Sequence, residues 1–149
     1  MYTSSTMSLI NNARTRNISD IVRLQSRKNP DRTALVFQQH TDTFAQLNNH
    51  IDRTANALRA AGIKPGERVA CLSHNNRAFV ILRFATIRAG AIFTPINFML
   101  NAHEIAYILE DSGAAAIVAE DILCNVADEA LASLDNPPSV KACIKHTDD

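Results

Sequence analysis

The sequence has little of what several common protein classes require. Its 149 residues include no tryptophan, three cysteines and four glycines, and 15 Lys and Arg balance 15 Asp and Glu. A zero formal charge, with no basic run longer than Arg27-Lys28, offers no electrostatic footprint for nucleic-acid phosphates or an anionic membrane. We therefore expect no nucleic-acid partner.

The cysteines and the hydrophobic segments exclude further classes of protein. Cys71, Cys124 and Cys143 include no C-x-x-C pair, so neither a zinc knuckle nor a redox motif is indicated, and a reducing compartment fits best. No stretch approaches the about 20 apolar residues that span a bilayer, and the polar start lacks a signal-like apolar region. These absences predict a cytoplasmic protein with no transmembrane segment.

The glycines are too few and too scattered to form a phosphate-binding loop. They stand singly at Gly62, Gly66, Gly90 and Gly113, beside turns or predicted helix ends. The patterns G-x-G-x-x-G, G-x-x-x-x-G-K-[ST] and G-x-S-x-G are all missing. The hydrolase and nucleotide-binding hypotheses therefore lose their strongest possible support. We assign this segment no catalytic residue, no cofactor-binding residue and no metal ligand.

What the sequence does contain is an alternation of helix-like and strand-like segments. We expect a flexible leader over residues 1–18 and an α/β subdomain over 19–149. In the short helix at 19–27, Ser19 or Asp20 is predicted to act as the cap, and Ile21 and Leu24 to face inward. A small hairpin at 34–44 is expected to follow.

Cap and stop signals delimit the segments after the hairpin. Thr43 and Gln46 fit a capping box for a helix that ends near Gly62, and Asn75 is predicted to cap the helix over 76–89. Pro95 is expected to stop the strand that begins at Ala91. The remaining predicted elements are a strand at 68–72, a helix from Asn101 to Gly113, a strand at 115–118, a helix capped by Asp121 and a last strand at 140–144.

The predicted strands are continuously apolar and do not alternate, which is typical of a parallel sheet covered on both faces. The fold expected is three-layer α/β, with a mostly parallel sheet and helices on both sides. In such sheets ligands bind beyond the carboxyl ends of the strands. The residues at that rim are Ser73, His74, Asn75, Pro95, Ile96, Asn97, Glu120 and Asp121.

Among the rim residues, His74 beside Asn75 is a candidate for acid/base chemistry or for a polar substrate contact. The alternative is a partly exposed histidine in a helix-capping loop. Pro95 and Asn97 complete the candidate strand-end rim. The paired acids Glu120-Asp121 lie at a helix start, where solvation and capping suffice, so they are assigned no catalysis.

The other polar residues have structural explanations. His103-Glu104 lacks the second histidine of H-E-x-x-H, which excludes a metalloprotease helix. We expect surface positions for His40, His50 and His146. Arg77, Arg83 and Arg88 share one predicted helix at spacings that scatter them around its surface, so no phosphate clamp is indicated.

Four segments, in order, resemble motifs of one family. They are Asn29–Val36, Thr43–Leu47 with Gln46 where glutamate is usual, Ile87–Asn97 and Tyr107–Ala114. The sequence resembles the amino-terminal portion of the adenylate-forming (AMP-binding) ligases, and most of all the fatty-acyl-CoA synthetases. It departs from the family at His74, where proline is frequent, and at Ala78, where glutamate is frequent.

The resemblance implies a function for a longer parent protein. Such a parent would activate a carboxylic acid, here a fatty acid, with ATP and Mg to give acyl-AMP, and would pass the acyl group to CoA. The family's phosphate loop, adenine site, ribose aspartate and catalytic lysine come later in the chain than these residues. We therefore expect a fragment that is inactive alone and that self-associates through apolar surface normally covered by the next subdomain.

Two alternative functions of another class are also compatible with the sequence. The chain could be a stand-alone flavodoxin-like binding or interaction module without catalysis. Gln38-Gln39-His40, after the first predicted strand, lacks both the acids of a receiver domain and the Ser/Thr/Gly loop of a flavin binder. A second alternative is a regulatory subunit that descends from a ligase and binds a partner protein.

Overall fold

The computed structural model of the chain describes residues 17–145. The predicted leader, apart from Asn17 and Ile18, and the surface position expected for His146 lie outside the described residues. In chain order the elements are α1 (Ser19–Lys28), β1 (Thr33–Phe37), β2 (His40–Thr43), α2 (Phe44–Ala60), β3 (Arg68–Leu72), α3 (Arg77–Ala89), β4 (Ile92–Ile96), α4 (Ala102–Ser112), β5 (Ala114–Glu120), a 3-10 turn (Asp121–Leu123), α5 (Cys124–Ala132) and β6 (Val140–Ile144).

Strands β3 to β6 form the central sheet. Its order is β4-β3-β5-β6, and all three strand pairs are parallel. Within β3, Val69 and Cys71 belong to one hydrophobic cluster, whereas Ala70 and Leu72 belong to another. The strand is therefore buried on both faces, which explains why it reads as a continuous apolar run.

Helices cover the sheet on both sides, as predicted. Apolar residues of α1, α2 and α3 join one cluster, and apolar residues of α4 and α5 join the other. The three-layer α/β fold is confirmed. A separate antiparallel hairpin of β1 and β2 precedes α2, with Gln38 at φ 50° in its turn. Within the described part of the chain, no helix has both the length and the apolarity to cross a membrane.

Local capping chemistry sets the helix boundaries. Thr43 accepts a hydrogen bond from Gln46 N, and the Gln46 side chain accepts one from Thr43 N, so the predicted capping box forms. Gly90 and Gly113 adopt the left-handed conformation that ends α3 and α4. A side chain at position 113 would also place its Cβ 2.5 Å from Arg68 Nη2.

The inward face predicted for α1 is wrong. Ile21 is 57% exposed and Leu24 is 36% exposed, while Ser19 and Val22 are buried. The reason is tertiary, because Arg88 of α3 donates hydrogen bonds to Ser19 Oγ and to Ser19 O at 2.9 Å each. These contacts turn the small polar face of the helix toward the core.

Several predicted boundaries also require correction. Strand β4 runs through Pro95 to Ile96, because β4 is an edge strand, where proline costs no ladder hydrogen bond on its open side. The cap of α3 is Asn76, and Asn75 is exposed. Asp121 begins a 3-10 turn and not the helix itself, so α5 starts at Cys124.

The direction of winding changes in the middle of the sheet. From β3 the chain passes through α3 to β4 on one side, whereas from β5 it passes through α5 to β6 on the other side. Because β3 and β5 are neighbours, their carboxyl ends flank the topological switch point. In open α/β sheets this is the place where ligands bind.

Candidate functional site

The rim residues at the switch point form one polar cluster around Glu120. This residue ends β5 and is fully buried. Its Oε2 accepts a hydrogen bond from His74 N at 2.9 Å and lies 2.7 Å from His74 Nδ1, and its Oε1 accepts one from Asn76 Nδ2 at 3.0 Å. A buried carboxylate with several hydrogen-bond partners holds the segments around it in one arrangement.

The loop after β3 is built to meet this carboxylate. Asn76 Oδ1 accepts a hydrogen bond from Phe79 N at 2.8 Å and so caps α3. The Nδ2 group of Asn76 also donates to Ser73 Oγ at 3.2 Å, so the same side chain connects the helix, the loop and Glu120. The local cap and the long-range contact thereby support each other.

His74 is the part of the cluster that reaches the surface. Its side chain is 34% exposed, and its ring lies on Phe98, with centroids 3.8 Å apart and planes tilted by 31°. Phe98 follows β4 and is 38% exposed. The outer face of the site is therefore an imidazole and an aromatic ring, supported from beneath by the Glu120 carboxylate.

The other predicted rim residues lie around this cluster. Asn75 is exposed beside it. Asn97 is also exposed, and its Oδ1 accepts a hydrogen bond from Met99 N at 3.1 Å, which shapes the turn that carries Phe98. Pro95 is exposed on β4 and lines a surface hollow with Phe79 and Arg83. The structure thus joins His74 to Glu120 and Phe98, and leaves Pro95 on the outer edge of the sheet.

The sequence places Glu120 at the rim but does not reveal that this residue is buried at the centre of the site. The prediction of a solvated acid at a helix start is wrong for Glu120, because the residue is fully buried. The sequence does contain a signal for this position. Side chains two residues apart on a strand face the same side of a sheet, and Glu120 follows Ala116 and Val118 at that spacing. Ala116 and Val118 face the side covered by α1–α3, so Glu120 faces that side as well. Extending the apolar strand by two residues would have placed Glu120 beneath the start of α3.

Two of the three arginines of α3, Arg77 and Arg88, are also more buried than the sequence predicted. Arg77 donates to both Asp42 carboxylate oxygens, at 2.5 and 2.8 Å, and these hydrogen bonds lower the pKa of Asp42 below its ordinary value. Arg88 is only 7% exposed and donates to Asp52 and Asn48 as well as to Ser19, so its predicted surface position is wrong. These two guanidinium groups hold α1, α2 and the hairpin together. Arg83 is exposed.

A nucleotide phosphate does not fit the described residues at this site. The start of α3 lies at the switch point, where a helix N-terminus would attract an anion. The Glu120 carboxylate already occupies that region through Asn76 and His74 N, and it would repel a phosphate. Within residues 17–145 no group of three or more His, Cys, Asp or Glu side chains could hold a metal ion.

The fold and the polar cluster together define the class of domain to which this chain belongs. A three-layer α/β unit with a parallel sheet and a polar cluster at its switch point is an α/β domain of the doubly wound type. The model of the family described as "AMP-binding enzyme" matches residues 22–149. The chain therefore belongs to the AMP-binding enzyme family, and it is the amino-terminal portion of that fold, as the sequence motifs predicted.

The curated proteins that are similar to this chain include acid–CoA ligases. A feruloyl-CoA synthase of an Amycolatopsis species is 42% identical over 94 residues, which cover 63% of this chain and 19% of that protein. The long-chain-fatty-acid–CoA ligase FadD13 of Mycobacterium tuberculosis is 35% identical over 128 residues, covering 84% of this chain and 25% of that protein. The chain thus spans about a fifth to a quarter of the length of these relatives.

Solved structures agree in fold. The N-terminal domain of FACL13 from Mycobacterium tuberculosis superimposes with a TM-score of 0.80 at 31% identity, covering 87% of this chain and 34% of that one. A Mycobacterium tuberculosis fatty acyl CoA synthetase gives a TM-score of 0.80 at 32% identity, over 86% of this chain and 26% of that one. Both neighbours support the identification of the fold as the first part of an acyl-CoA ligase.

Proposed function

We propose that the protein to which this chain belongs is an ATP-dependent acid–CoA ligase. It would join a carboxylate to AMP with release of pyrophosphate and then transfer the acyl group to the thiol of CoA. The observation that carries the proposal is the family match over residues 22–149, together with 35% identity to a long-chain-fatty-acid–CoA ligase over 128 residues. Mg would accompany ATP, as is general for phosphate-transfer chemistry.

Our proposal for the described segment itself is that it provides scaffold and no chemical step. The buried Glu120 carboxylate disfavours a phosphate at the switch point, so we derive no nucleotide chemistry from these residues. We propose that residues 19–149 are one α/β subdomain of a longer chain and that this subdomain alone does not adenylate acids. The alternative of a stand-alone binding module predicts a specific partner for the isolated chain and no role in a ligase.

We propose that the rim of His74, Asn75, Pro95 and Asn97 is one wall of the acyl site. Support comes from the switch-point position of His74 and from the exposed ring pair that His74 forms with Phe98. An imidazole and an aromatic ring together offer a mostly apolar surface with one polar edge, which suits an acyl chain that ends in a carboxylate. This role is one of positioning.

The substrate we propose is a fatty acid. The named fatty-acid ligase aligns over 84% of the chain. A second candidate is an aromatic acid, because a feruloyl-CoA synthase shows the higher identity of 42%, although over 63% of the chain. We also propose a cytoplasmic location, where a reducing environment fits the cysteine usage and CoA is available.

The experiment is ATP–pyrophosphate exchange by the full-length protein with a panel of acids, including short, medium and long fatty acids, ferulate and benzoate. We expect exchange that is strongest with fatty acids, and acyl-CoA formation when CoA is added. Exchange with ferulate alone would select the aromatic alternative. No exchange with any acid would overturn the ligase proposal.

A paired experiment tests the rim. In the full-length enzyme, His74→Ala should raise KM for the acid several-fold while leaving KM for ATP nearly unchanged. His103→Ala, on the exposed first turn of α4, is the matched control. Equal effects on the two KM values would mean that His74 acts only through folding.

A further inference from the structure

The proposed function uses none of the cysteines, yet the fold brings two of them together. Cys124 begins α5 and Cys143 lies in β6, where it pairs in register with Ala119 of β5. Their sulfur atoms are 3.0 Å apart, and both residues are free thiols. Cys71, by contrast, is buried in β3.

We propose that Cys124 and Cys143 are a modification site that forms a reversible disulfide when the protein meets hydrogen peroxide. A disulfide bond is about 2.05 Å long, so the two sulfur atoms need to approach by only about 1 Å. The contact joins the start of helix α5 to the edge strand β6. The sequence separation of 19 residues conceals the pair, because no short cysteine motif is present.

The surroundings of the pair indicate which of the two thiols is oxidised first. Cys143 is exposed and Cys124 is partly buried, so peroxide reaches Cys143 first. The hydrogen bond with Cys143 and, as a smaller effect, burial raise the pKa of Cys124 to about 11. Cys124 is therefore protonated at neutral pH. The exposed Lys141 ammonium forms an ion pair with Asp128, and it lies two residues before Cys143 on β6, so the two side chains share one face of the sheet.

The chemistry balances with peroxide as the only oxidant. The Cys143 thiolate attacks one peroxide oxygen, the O–O bond breaks, and the products are a sulfenic acid and, after protonation, water. The Cys124 sulfur then attacks the sulfenic sulfur, the S–O bond breaks, and a second water leaves with the thiol proton. In sum, two thiols and one peroxide give one disulfide and two waters.

The disulfide would lie next to the candidate site and would restrain the chain segments around Glu120. The turn Asp121–Leu123 connects Glu120 directly to Cys124, and Glu120 pairs in register with Ile144, the neighbour of Cys143. A disulfide would therefore fasten the segment that leaves Glu120 to strand β6. It would restrict the unfolded chain as well, which favours the folded state.

The test is peroxide treatment of the full-length protein, followed by blocking of the remaining thiols with N-ethylmaleimide and peptide mass spectrometry. We expect a linked pair of peptides containing Cys124 and Cys143, lighter by two hydrogen atoms than the separate peptides. Dithiothreitol should restore both thiols. Cys71 should stay reduced and become alkylated only after denaturation.

Variants separate the disulfide from general oxidation. Cys124→Ser should leave Cys143 to oxidise beyond sulfenic acid, whereas Cys71→Ser should not change the crosslink. The oxidised wild-type protein should unfold at a higher temperature than the reduced one, and Cys143→Ser should show no such difference. Independent alkylation of both thiols after peroxide, sulfinic acid on Cys143 in the wild type, or crosslinks between molecules would each overturn the proposal.

Discussion

At the scale of single residues, the buried charged side chains show how separate elements of the fold are held together. Glu120, Asp42 and Arg88 are each less than a tenth exposed, and each is held by several hydrogen bonds. A charge removed from water is tolerated only where partners replace its hydration. These three residues therefore mark the points where separate elements are fastened to one another.

Replacing Glu120 tests the centre of the candidate site. Glu120→Ala should lower the free energy of unfolding by about 3 kcal/mol, because it leaves His74 N and Asn76 Nδ2 without their buried acceptor. The control is Glu110→Ala at an exposed position of α4, which should change stability by less than about 0.5 kcal/mol. Urea unfolding of both variants measures the difference, and equal effects would contradict the role assigned to Glu120.

The ion pair of Asp42 with Arg77 predicts a pH dependence. Because hydrogen bonds from Arg77 lower the pKa of Asp42 below 3.8, the folded state holds the carboxylate charged at a pH where the unfolded chain begins to take up a proton. The contribution of Asp42 to stability is therefore complete above about pH 5 and declines as the pH falls below about 4.

The measurement is the difference in unfolding free energy between the wild type and Asp42→Asn at pH 7 and at pH 3. We expect a large difference at pH 7 that shrinks at pH 3. Asp111→Asn, at an exposed position of α4, controls for the loss of one acidic group. A difference that grows on acidification would show that Asp42 is not stabilised as a carboxylate.

At the scale of elements, helix caps decide where the chain changes direction. Both capping boxes, at Thr43 and at Asn101, satisfy orphan N–H groups at the start of a helix that packs on the sheet. Asn76 does the same for α3 and extends the cap to the candidate site. The Asn76 side chain therefore belongs both to the cap of α3 and to the candidate site.

The capping box of α4 yields a prediction at this scale. Asn101 Oδ1 accepts from Glu104 N at 3.1 Å, and Glu104 Oε2 accepts from Asn101 N at 2.9 Å. Asn101→Ala should cost about 1 kcal/mol of stability, because the N–H of Glu104 loses its side-chain acceptor and returns to solvent. Asn49→Ala, exposed in the middle of α2, should be neutral or slightly stabilising. Thermal unfolding distinguishes the two variants, and a destabilising Asn49→Ala would mean that the asparagine effect is not one of capping.

At the scale of the whole molecule, an apolar groove runs between α2 and the edge strand β6. Its lining is formed by side chains that are apolar apart from Thr54, namely Thr54, Ala57, Leu58, Ala61, Leu82, Val118, Val140, Ala142 and Ile144. Strand β6 also has an open edge, since it is last in the order of the sheet. Open edges and apolar grooves both favour association with another protein surface.

We therefore predict that the isolated 149-residue chain self-associates, as expected from the sequence. Sedimentation velocity should show a weight-average mass that rises with protein concentration. Ala142→Asp places a charge at an exposed position of the groove and should lower the association constant at least several-fold. Ala45→Asp, exposed in the first turn of α2, should have no effect. A strictly monomeric chain at high concentration would contradict the prediction.

Much of the fold follows from the sequence, because local chemistry and periodicity determine it. The bounds of β3, the capping boxes at Thr43 and Asn101, and the terminating glycines Gly90 and Gly113 are all predictable from neighbouring residues. Apolar strands alternating with helices indicate a parallel three-layer sheet for the same reason. Family motifs, which are also contiguous, indicate an AMP-binding enzyme.

Only the tertiary structure decided which distant residues meet. Glu120 and His74 are 46 positions apart, and they become neighbours because β5 lies beside β3. The contact between Cys124 and Cys143 depends in the same way on β6 lying beside β5. Strand order and register are properties of the whole sheet, so the contacts of Glu120 with His74 and of Cys124 with Cys143 form only when the sheet is assembled.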